Sequence, residues 1–115
     1  MISWIESLRE SDKLKIVEGK KDLHALQSLG ISNIKQINKP LYSFVEEICF
    51  QSKEVIILTD LDKEGKRLYS LLKHNLQKRK VKIDNHFREY LFNNTKLTQI
   101  EGITRYIKKN FSFSE

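Results

Sequence analysis

Hydrophobic residues along the chain recur with the periods of strands and helices in alternation. Four strands are predicted at the short apolar stretches of residues 14–17, 34–37, 55–58 and 81–83. Apolar residues spaced three and four apart predict helices at residues 3–10, 20–29 and 63–79, with a further helix that opens at Pro40. This alternation predicts an α/β fold with a central, mainly parallel four-stranded sheet flanked by helices.

Two of these elements have the clearest patterns. Residues 55–58 are apolar at every position, which suits a central parallel strand that is covered on both faces. The helix over residues 63–79 carries one apolar stripe, formed by Leu68, Leu71, Leu72 and Leu76. In the helix that opens at Pro40, the predicted inner face is formed by Phe44, Val45 and Ile48.

The C-terminal part of the chain predicts one more helix. Thr98 precedes Glu101 by three residues, which is a capping-box pattern. The apolar residues that follow this start at helical spacing are Ile100, Ile103 and Ile107. We therefore predict a single domain over residues 1–115, with a core at about 13–84 and a helical extension at about 86–110.

The composition excludes several classes of protein. The chain has 115 residues, of which 39% are hydrophobic and 31% charged, so a disordered or fibrous chain is excluded. No apolar run approaches the roughly 20 residues of a membrane span, and the first residues lack the apolar stretch of a signal peptide. The single cysteine, Cys49, cannot form an internal disulfide. We therefore expect a soluble, cytoplasmic protein with no membrane association.

The net charge of +6 is unevenly distributed along the chain. Residues 1–62 carry 8 Lys/Arg against 10 Asp/Glu, whereas residues 63–96 carry 10 against 3. A basic segment in an otherwise balanced chain attracts polyanions, so nucleic acid is a candidate partner, although a solvated helix face is the alternative. Aromatic residues in this segment are candidates for stacking on bases or for packing a last helix on the sheet: Phe87, Tyr90 and Phe92.

Carboxylates follow the ends of two predicted strands. Glu18 comes directly after the first strand, and Asp60 and Asp62 come just after the central strand. Ligands of open parallel sheets bind outside the carboxyl ends of the strands, so these side chains converge if the two strands are neighbours. Carboxylates that close need a cation or a proton at neutral pH, and their hard oxygens suit Mg²⁺ or Mn²⁺. The alternative is that Asp60 and Asp62 only cap the following helix.

The two strand ends together resemble the Toprim domain, the catalytic module shared by topoisomerases, bacterial-type primases and old-type nucleases. The first matching segment is Ile16-Val17-Glu18-Gly19-Lys20-Lys21-Asp22, at the end of the first strand. The second is Ile56-Ile57-Leu58-Thr59-Asp60-Leu61-Asp62-Lys63-Glu64-Gly65-Lys66-Arg67, from the central strand into the following helix. Order, spacing and strand context agree over roughly residues 13–84, and the chain as a whole looks like a small, stand-alone, primase-like Toprim protein.

The resemblance implies a role for each matched residue. Glu18 is expected to be the general acid/base, and Asp60 and Asp62, together with Glu18, are expected to hold Mg²⁺ or Mn²⁺. The supporting positions are Asp22, Gly19 and Gly65, of which the two glycines would let the backbone approach a phosphate closely. The candidate phosphate-binding residues are Lys20, Lys21, Lys66 and Arg67. Arg67 is favoured among them because a guanidinium contacts phosphate at two points.

The predicted function is metal-dependent phosphoryl transfer on nucleic acid. Nuclease-like cleavage of RNA or DNA is the leading reaction, with primase-like nucleotidyl transfer as another. Larger Toprim enzymes carry extra modules that position the substrate, so a chain of this length would use a protein partner or act on a small or exposed substrate. The alternative function is a non-catalytic Toprim module that binds nucleic acid or a nucleoprotein complex.

Overall fold

Four short strands alternate with helices in the computed structural model, which describes residues 1–110. The strands are β1 (Leu14–Val17), β2 (Ile34–Gln36), β3 (Glu54–Ile57) and β4 (Lys82–Asp84). The helices are α1 (Ile2–Glu10), α2 (Lys20–Ser28), α3 (Leu41–Gln51), α4 (Lys63–Lys78), α5 (His86–Asn94) and α6 (Ile103–Asn110), and a 3₁₀ turn (Ile100–Gly102) precedes α6. Residues 111–115, which the single-domain prediction includes, lie outside the described part of the chain. Within residues 1–110, no helix is long and apolar enough to cross a membrane.

All four strands are parallel, in the order β2-β1-β3-β4. In this register Leu14 of β1 lies opposite Val55 of β3, and Val55 lies opposite Ile83 of β4. The predicted α/β fold with a central four-stranded sheet is confirmed, and the sheet is parallel throughout. The strand order reverses between β1 and β3, because the chain leaves β1 toward β2 but leaves β3 toward β4. Open α/β sheets bind ligands at such a reversal, beyond the carboxyl ends of the strands.

Helices cover both faces of the sheet, and each face has its own core. The buried residues of one face, beneath α3 and α4, include Ile16, Val55, Ile57, Phe44, Ile48, Leu72 and Leu76. The buried residues of the other face, beneath α1, α2, α5 and α6, include Val17, Ile56, Leu58, Trp4, Leu8, Leu26, Leu91 and Ile103. Alternate side chains of β3 enter opposite cores, which explains why this strand is apolar at successive positions.

The apolar stripes of the helices mostly predicted which residues are buried. On α3, the three residues of the predicted inner face are all buried: Phe44, Val45 and Ile48. On α4, Leu72 and Leu76 are buried, whereas Leu68 and Leu71 are only half-buried. Gly30 follows α2 with a φ of +80°, the left-handed conformation that favours glycine after a helix.

The C-terminal segment begins differently from the prediction. The residue before the 3₁₀ turn is Gln99, whose side chain makes no cap hydrogen bond, so the predicted capping box between Thr98 and Glu101 is wrong. The backbone N–H of Leu61 instead donates to the carbonyl of Thr98 over 2.8 Å. This segment is therefore positioned by the loop after β3 rather than by its own side chains.

Candidate metal centre

Three carboxylates converge at the carboxyl end of the sheet. Glu18 follows β1, while Asp60 and Asp62 follow β3, and one oxygen from each lies within 4.8 Å of the others. They meet because β1 and β3 are hydrogen-bonded neighbours in the sheet. Asp60 is buried, Glu18 is half-buried and Asp62 is exposed, so the cluster is open to solvent on one side. We call these three residues the acidic triad.

A backbone N–H group holds each carboxylate of the acidic triad. The N–H of Asp60 donates to Glu18 Oε1 over 2.7 Å, and the N–H of Gly65 donates to Asp62 Oδ1 over 2.8 Å. The N–H of Ile100 donates to Asp60 Oδ1 over 2.8 Å. The second oxygen of each carboxylate accepts no hydrogen bond from residues 1–110.

This donor set fits a hard divalent cation. Three carboxylate oxygens at the edge of the fold can take part of the octahedral shell of Mg²⁺ or Mn²⁺, and water or phosphate oxygens can take the rest. Asp62 also caps the first turn of α4 through the N–H of Gly65, so the capping role considered for it is present in the structure. Capping uses one oxygen of Asp62 and leaves the other for a ligand.

The electrostatics of the site favour a bound cation or proton. Burial raises the pKa of Glu18, and the charges of Asp60, Asp62 and Asp22 raise it further, while the N–H of Asp60 opposes the shift. Burial likewise raises the pKa of Asp60, against the hydrogen bond from Ile100. The charged forms of these groups are therefore disfavoured in the folded protein, and a divalent cation would offset that penalty.

Asp22 lies beside the acidic triad but outside it. Its buried carboxylate accepts a hydrogen bond of 3.3 Å from the N–H of Gly19, which ties the loop after β1 to the first turn of α2. Burial raises the pKa of Asp22 to about 6, and the charge of Asp60 adds to the shift. Asp22 therefore holds the loop beside the triad, and its supporting role in the chemistry stays a prediction.

The two glycines of the motifs have different surroundings. A Cβ at Gly65 would lie 2.0 Å from the backbone oxygen of Asp60 and 2.7 Å from Glu18 Oε1. Any side chain at Gly65 would therefore push apart the triad residues that it adjoins, which is a packing requirement of the fold itself. The approach of this glycine to phosphate stays a prediction. A Cβ at Gly19 would meet no atom within 4 Å, so the described residues place no such demand there.

The predicted phosphate-binding cations divide into two groups. The exposed lysines in the first turns of α2 and α4 make no ion pair within residues 1–110: Lys20, Lys21 and Lys66. Arg67, the favoured candidate, instead makes two contacts with Glu64, at 2.6 and 2.8 Å. Because this pair is exposed, a phosphate would have to compete with Glu64 for the guanidinium.

The basic segment of residues 63–96 is not one surface. α4 has 16 residues, so at 1.5 Å per residue its ends lie about 24 Å apart. α4 begins at Lys63, beside the acidic triad at the carboxyl end of the strands. After Lys78 the chain lies at the other end of the strands, where the N–H of Lys82 donates to the carbonyl of Lys53. The segment therefore divides between the two ends of the fold, and its first residues and Arg88 lie near the triad.

Arg88 is a structural part of the site that the sequence analysis counted only among the basic residues. It is 9% exposed, and its guanidinium donates to the carbonyls of Thr59 over 2.9 Å and Asp60 over 2.8 Å. The rings of Tyr69 and Phe92 flank it. The one local signal is the spacing of Arg88 and Phe92, four residues apart, which places both on one face of a helix.

Two of the aromatic residues considered for base stacking are used inside the fold. Phe87 is buried against Trp4, whose indole N–H donates to the carbonyl of Phe87 over 2.9 Å. Phe92 is half-buried beside Arg88, and Tyr90 remains 42% exposed. Packing of α5 on the sheet, the alternative in the sequence analysis, accounts for Phe87 and Phe92.

A parallel sheet with an acidic residue after β1 and an acidic pair after the adjacent β3 defines a Toprim domain. Residues 13–94 match the Toprim domain family, and the chain belongs to that family. Membership implies a metal-binding fold associated with nucleic acids, and the acidic triad is the cluster within residues 1–110 that can hold the metal.

The chain is similar to a group of archaeal proteins and to one solved bacterial structure. UPF0292 protein MJ1624 of Methanocaldococcus jannaschii is 30% identical over 116 residues, which cover 95% of this chain and 91% of that protein. UPF0292 protein PYRAB04740 of Pyrococcus abyssi is 39% identical over 88 residues, 76% of this chain and 67% of that protein. The solved structure of a protein from Aquifex aeolicus aligns with a TM-score of 0.81 and 29% identity, over 88% of this chain and 95% of that one.

Proposed function

We propose that the protein catalyses divalent-metal-dependent phosphoryl transfer on nucleic acid, most directly the cleavage of a phosphodiester bond. The observation that carries this proposal is the acidic triad, in which three carboxylates are each held by a backbone N–H and keep a second oxygen for a ligand. Oxygen ligands of this kind, in a Toprim fold, support Mg²⁺ or Mn²⁺ as the cofactor.

The residues of the acidic triad share one task in this proposal, and Glu18 has a second. Asp60 and Asp62, together with Glu18, would hold the cation, which offsets negative charge on the phosphoryl oxygens when bound. Glu18 would also transfer the proton to or from the reacting oxygen. Lys20 and Lys66, in the first turns of α2 and α4, would contact neighbouring phosphates.

Metal binding is the first test of the proposal. In a calorimetric titration, Asp60→Asn combined with Asp62→Asn should bind Mn²⁺ at least tenfold more weakly than the unmodified protein, roughly the loss expected when the groups around a metal are altered. Asparagine keeps an oxygen that can accept the hydrogen bonds from Ile100 and Gly65, so the loop and the helix cap are preserved. Equal Mn²⁺ affinity in both proteins would remove the metal site.

Turnover is tested with labelled single- and double-stranded RNA and DNA in the presence of Mn²⁺. Glu18→Gln keeps an acceptor for the N–H of Asp60, but it cannot transfer the proton. We expect kcat to fall by roughly 10²–10⁴-fold in this variant. An unchanged kcat would show that Glu18 is not the proton-transfer group.

The second candidate is a module that binds nucleic acid without cleaving it. It is favoured by the exposed lysines near the triad, which have no carboxylate partner within residues 1–110: Lys20, Lys21 and Lys66. Binding through these lysines would persist in chelator, whereas cleavage would require the metal. Binding in chelator with no cleavage of any substrate in Mn²⁺ would favour this module over the enzyme.

A further inference from the structure

A groove of about 550 Å³ lies between α2 and the segment that leads into α6. The lining residues used here are Lys21, His24, Ser28, Gln99, Glu101 and Arg105, and we call this cavity the α2–α6 groove. Its volume is within the range of about 300–1,000 Å³ that is usual for ligand sites.

The α2–α6 groove adjoins the acidic triad. Lys21 directly precedes Asp22, whose carboxylate lies close enough to Asp60 for their charges to interact. On the other wall, Glu101 directly follows Ile100, whose N–H holds the carboxylate of Asp60. The groove therefore lies beside the triad, and Glu101 of its lining is close enough to Asp60 for their charges to interact.

Two cations lie on opposite walls of the groove. Lys21 belongs to α2 and Arg105 to α6, and both side chains are exposed. Neither forms an ion pair within residues 1–110, in contrast to Arg67, which is paired with Glu64. An unpaired cation keeps its attraction for phosphate, because no internal carboxylate has to be displaced first.

The remaining lining residues suit a phosphodiester backbone better than bases. Ser28 and Gln99 offer hydrogen bonds, and no Phe, Tyr or Trp lines the cavity, so there is no aromatic surface on which bases stack. Glu101 is the one carboxylate of the lining, and its charge opposes phosphate at the wall nearest the triad. Apart from His24, the charged lining residues therefore give the groove a net positive charge, and the lining has no Phe, Tyr or Trp on which a base would stack.

We propose that the α2–α6 groove binds the backbone of the nucleic-acid strand that flanks the reacting phosphate, without sequence preference. The path of the strand, from the acidic triad past Asp22 to Lys21 and Arg105, rests on the proposed function, because that function places the reacting phosphate at the triad. Binding in the groove itself needs no metal and no turnover.

The test measures affinity in chelator, so that it is independent of cleavage. Fluorescence anisotropy of labelled oligo-dT and oligo-U, each of about 20 nucleotides so that one molecule spans the site, is recorded between 50 and 200 mM salt. The groove variant is Lys21→Ala with Arg105→Ala. The matched control is Lys78→Ala with Arg79→Ala, which removes the same charge at the far end of α4.

The groove variant should bind both oligonucleotides roughly tenfold more weakly at the lowest salt concentration, and its salt slope should fall by about 1.4, as expected for two lost single-strand phosphate contacts. The control should lose less than about twofold, because its charges lie about 24 Å from the triad. Glu101→Gln should bind about twofold more tightly, an effect that a purely structural role for the groove would not produce.

Four results would overturn the proposal. The first is that the unmodified protein binds neither oligonucleotide, and the second is that the groove variant loses no affinity for them. The third is that the control variant loses as much affinity as the groove variant. The fourth is that a mononucleotide binds with the same affinity as the oligonucleotide and displaces it. The last would show that the groove takes a small phosphate ligand. Binding that depends on Lys21 and Arg105, with no cleavage in Mn²⁺, would keep the groove and reject the proposed enzyme. Unfolding curves of all variants verify that each one folds.

Discussion

Replacing Arg88 by methionine tests whether α5 holds the metal-site loop in place. Methionine keeps most of the apolar volume but removes the charge and the hydrogen bonds to the carbonyls of Thr59 and Asp60. It also removes the cation from the rings of Tyr69, 4.4 Å away, and Phe92, 5.3 Å away. Nothing else in residues 1–110 donates to these two carbonyls from a side chain.

The contacts of Arg88 set the size of the expected effect. A hydrogen bond from a charged donor contributes about 1.5–3 kcal/mol, and a cation–π contact at a desolvated site about 2 kcal/mol. Burial lowers the pKa of Arg88, so part of this gain is offset by the cost of burying the guanidinium. We expect Arg88→Met to lower the free energy of unfolding by about 3 kcal/mol, within the range for breaking one partner of a buried charged network.

Urea unfolding followed by circular dichroism measures this loss, and calorimetry measures Mn²⁺ affinity under conditions in which the variant stays folded. Mn²⁺ affinity should also fall, because the Asp60 backbone that Arg88 holds supplies the N–H that orients Glu18. Arg67→Met is the matched control, since Arg67 is exposed and its ion pair within residues 1–110 is with Glu64, and it should change stability much less than Arg88→Met. Equal, small losses in both variants would refute the assigned role of Arg88.

Three further predictions follow from the same site. Gly65→Ala should abolish Mn²⁺ binding in calorimetry and lower the melting temperature by several degrees, because the alanine Cβ would lie 2.0 Å from the backbone oxygen of Asp60. An unchanged Mn²⁺ affinity would contradict the close packing of Gly65 against the triad. In chelator, Asp62→Ala should lose about 1 kcal/mol in urea unfolding and Asp62→Asn much less, since only asparagine keeps the helix cap. Burial raises the pKa of Asp22 from 3.8 to about 6, so the folded protein binds this proton more tightly than the unfolded chain, and stability falls as pH rises from about 4 to 6. Asp22→Asn should remove about 1–2 kcal/mol of that fall after allowance for solvent screening, and an identical pH profile of urea unfolding would contradict it.

The sequence determined the elements and the composition of the site. Strands and helices follow from apolar periodicity, and the bounds of β1 agree with the prediction at both ends. The apolar pattern also predicted that Glu18 follows β1 directly and that Asp60 and Asp62 come shortly after β3. Their convergence was conditional on β1 and β3 being neighbours, and the tertiary structure confirms that condition.

The tertiary structure alone decided which charged residues are internal. Arg88 is one of ten basic residues in residues 63–96, and only the packing of α5 over the loop after β3 buries it. Lys15 is likewise buried, with its Nζ donating to the carbonyls of Ser11 and Ser32 over 2.7 and 2.9 Å. Asp60 and Ile100 are forty residues apart, yet their hydrogen bond links the site to the C-terminal extension. The spacing of apolar residues predicts local helices and strands and the residues that share a face of them. These contacts instead join residues that are distant in sequence, so they depend on how the elements pack in three dimensions.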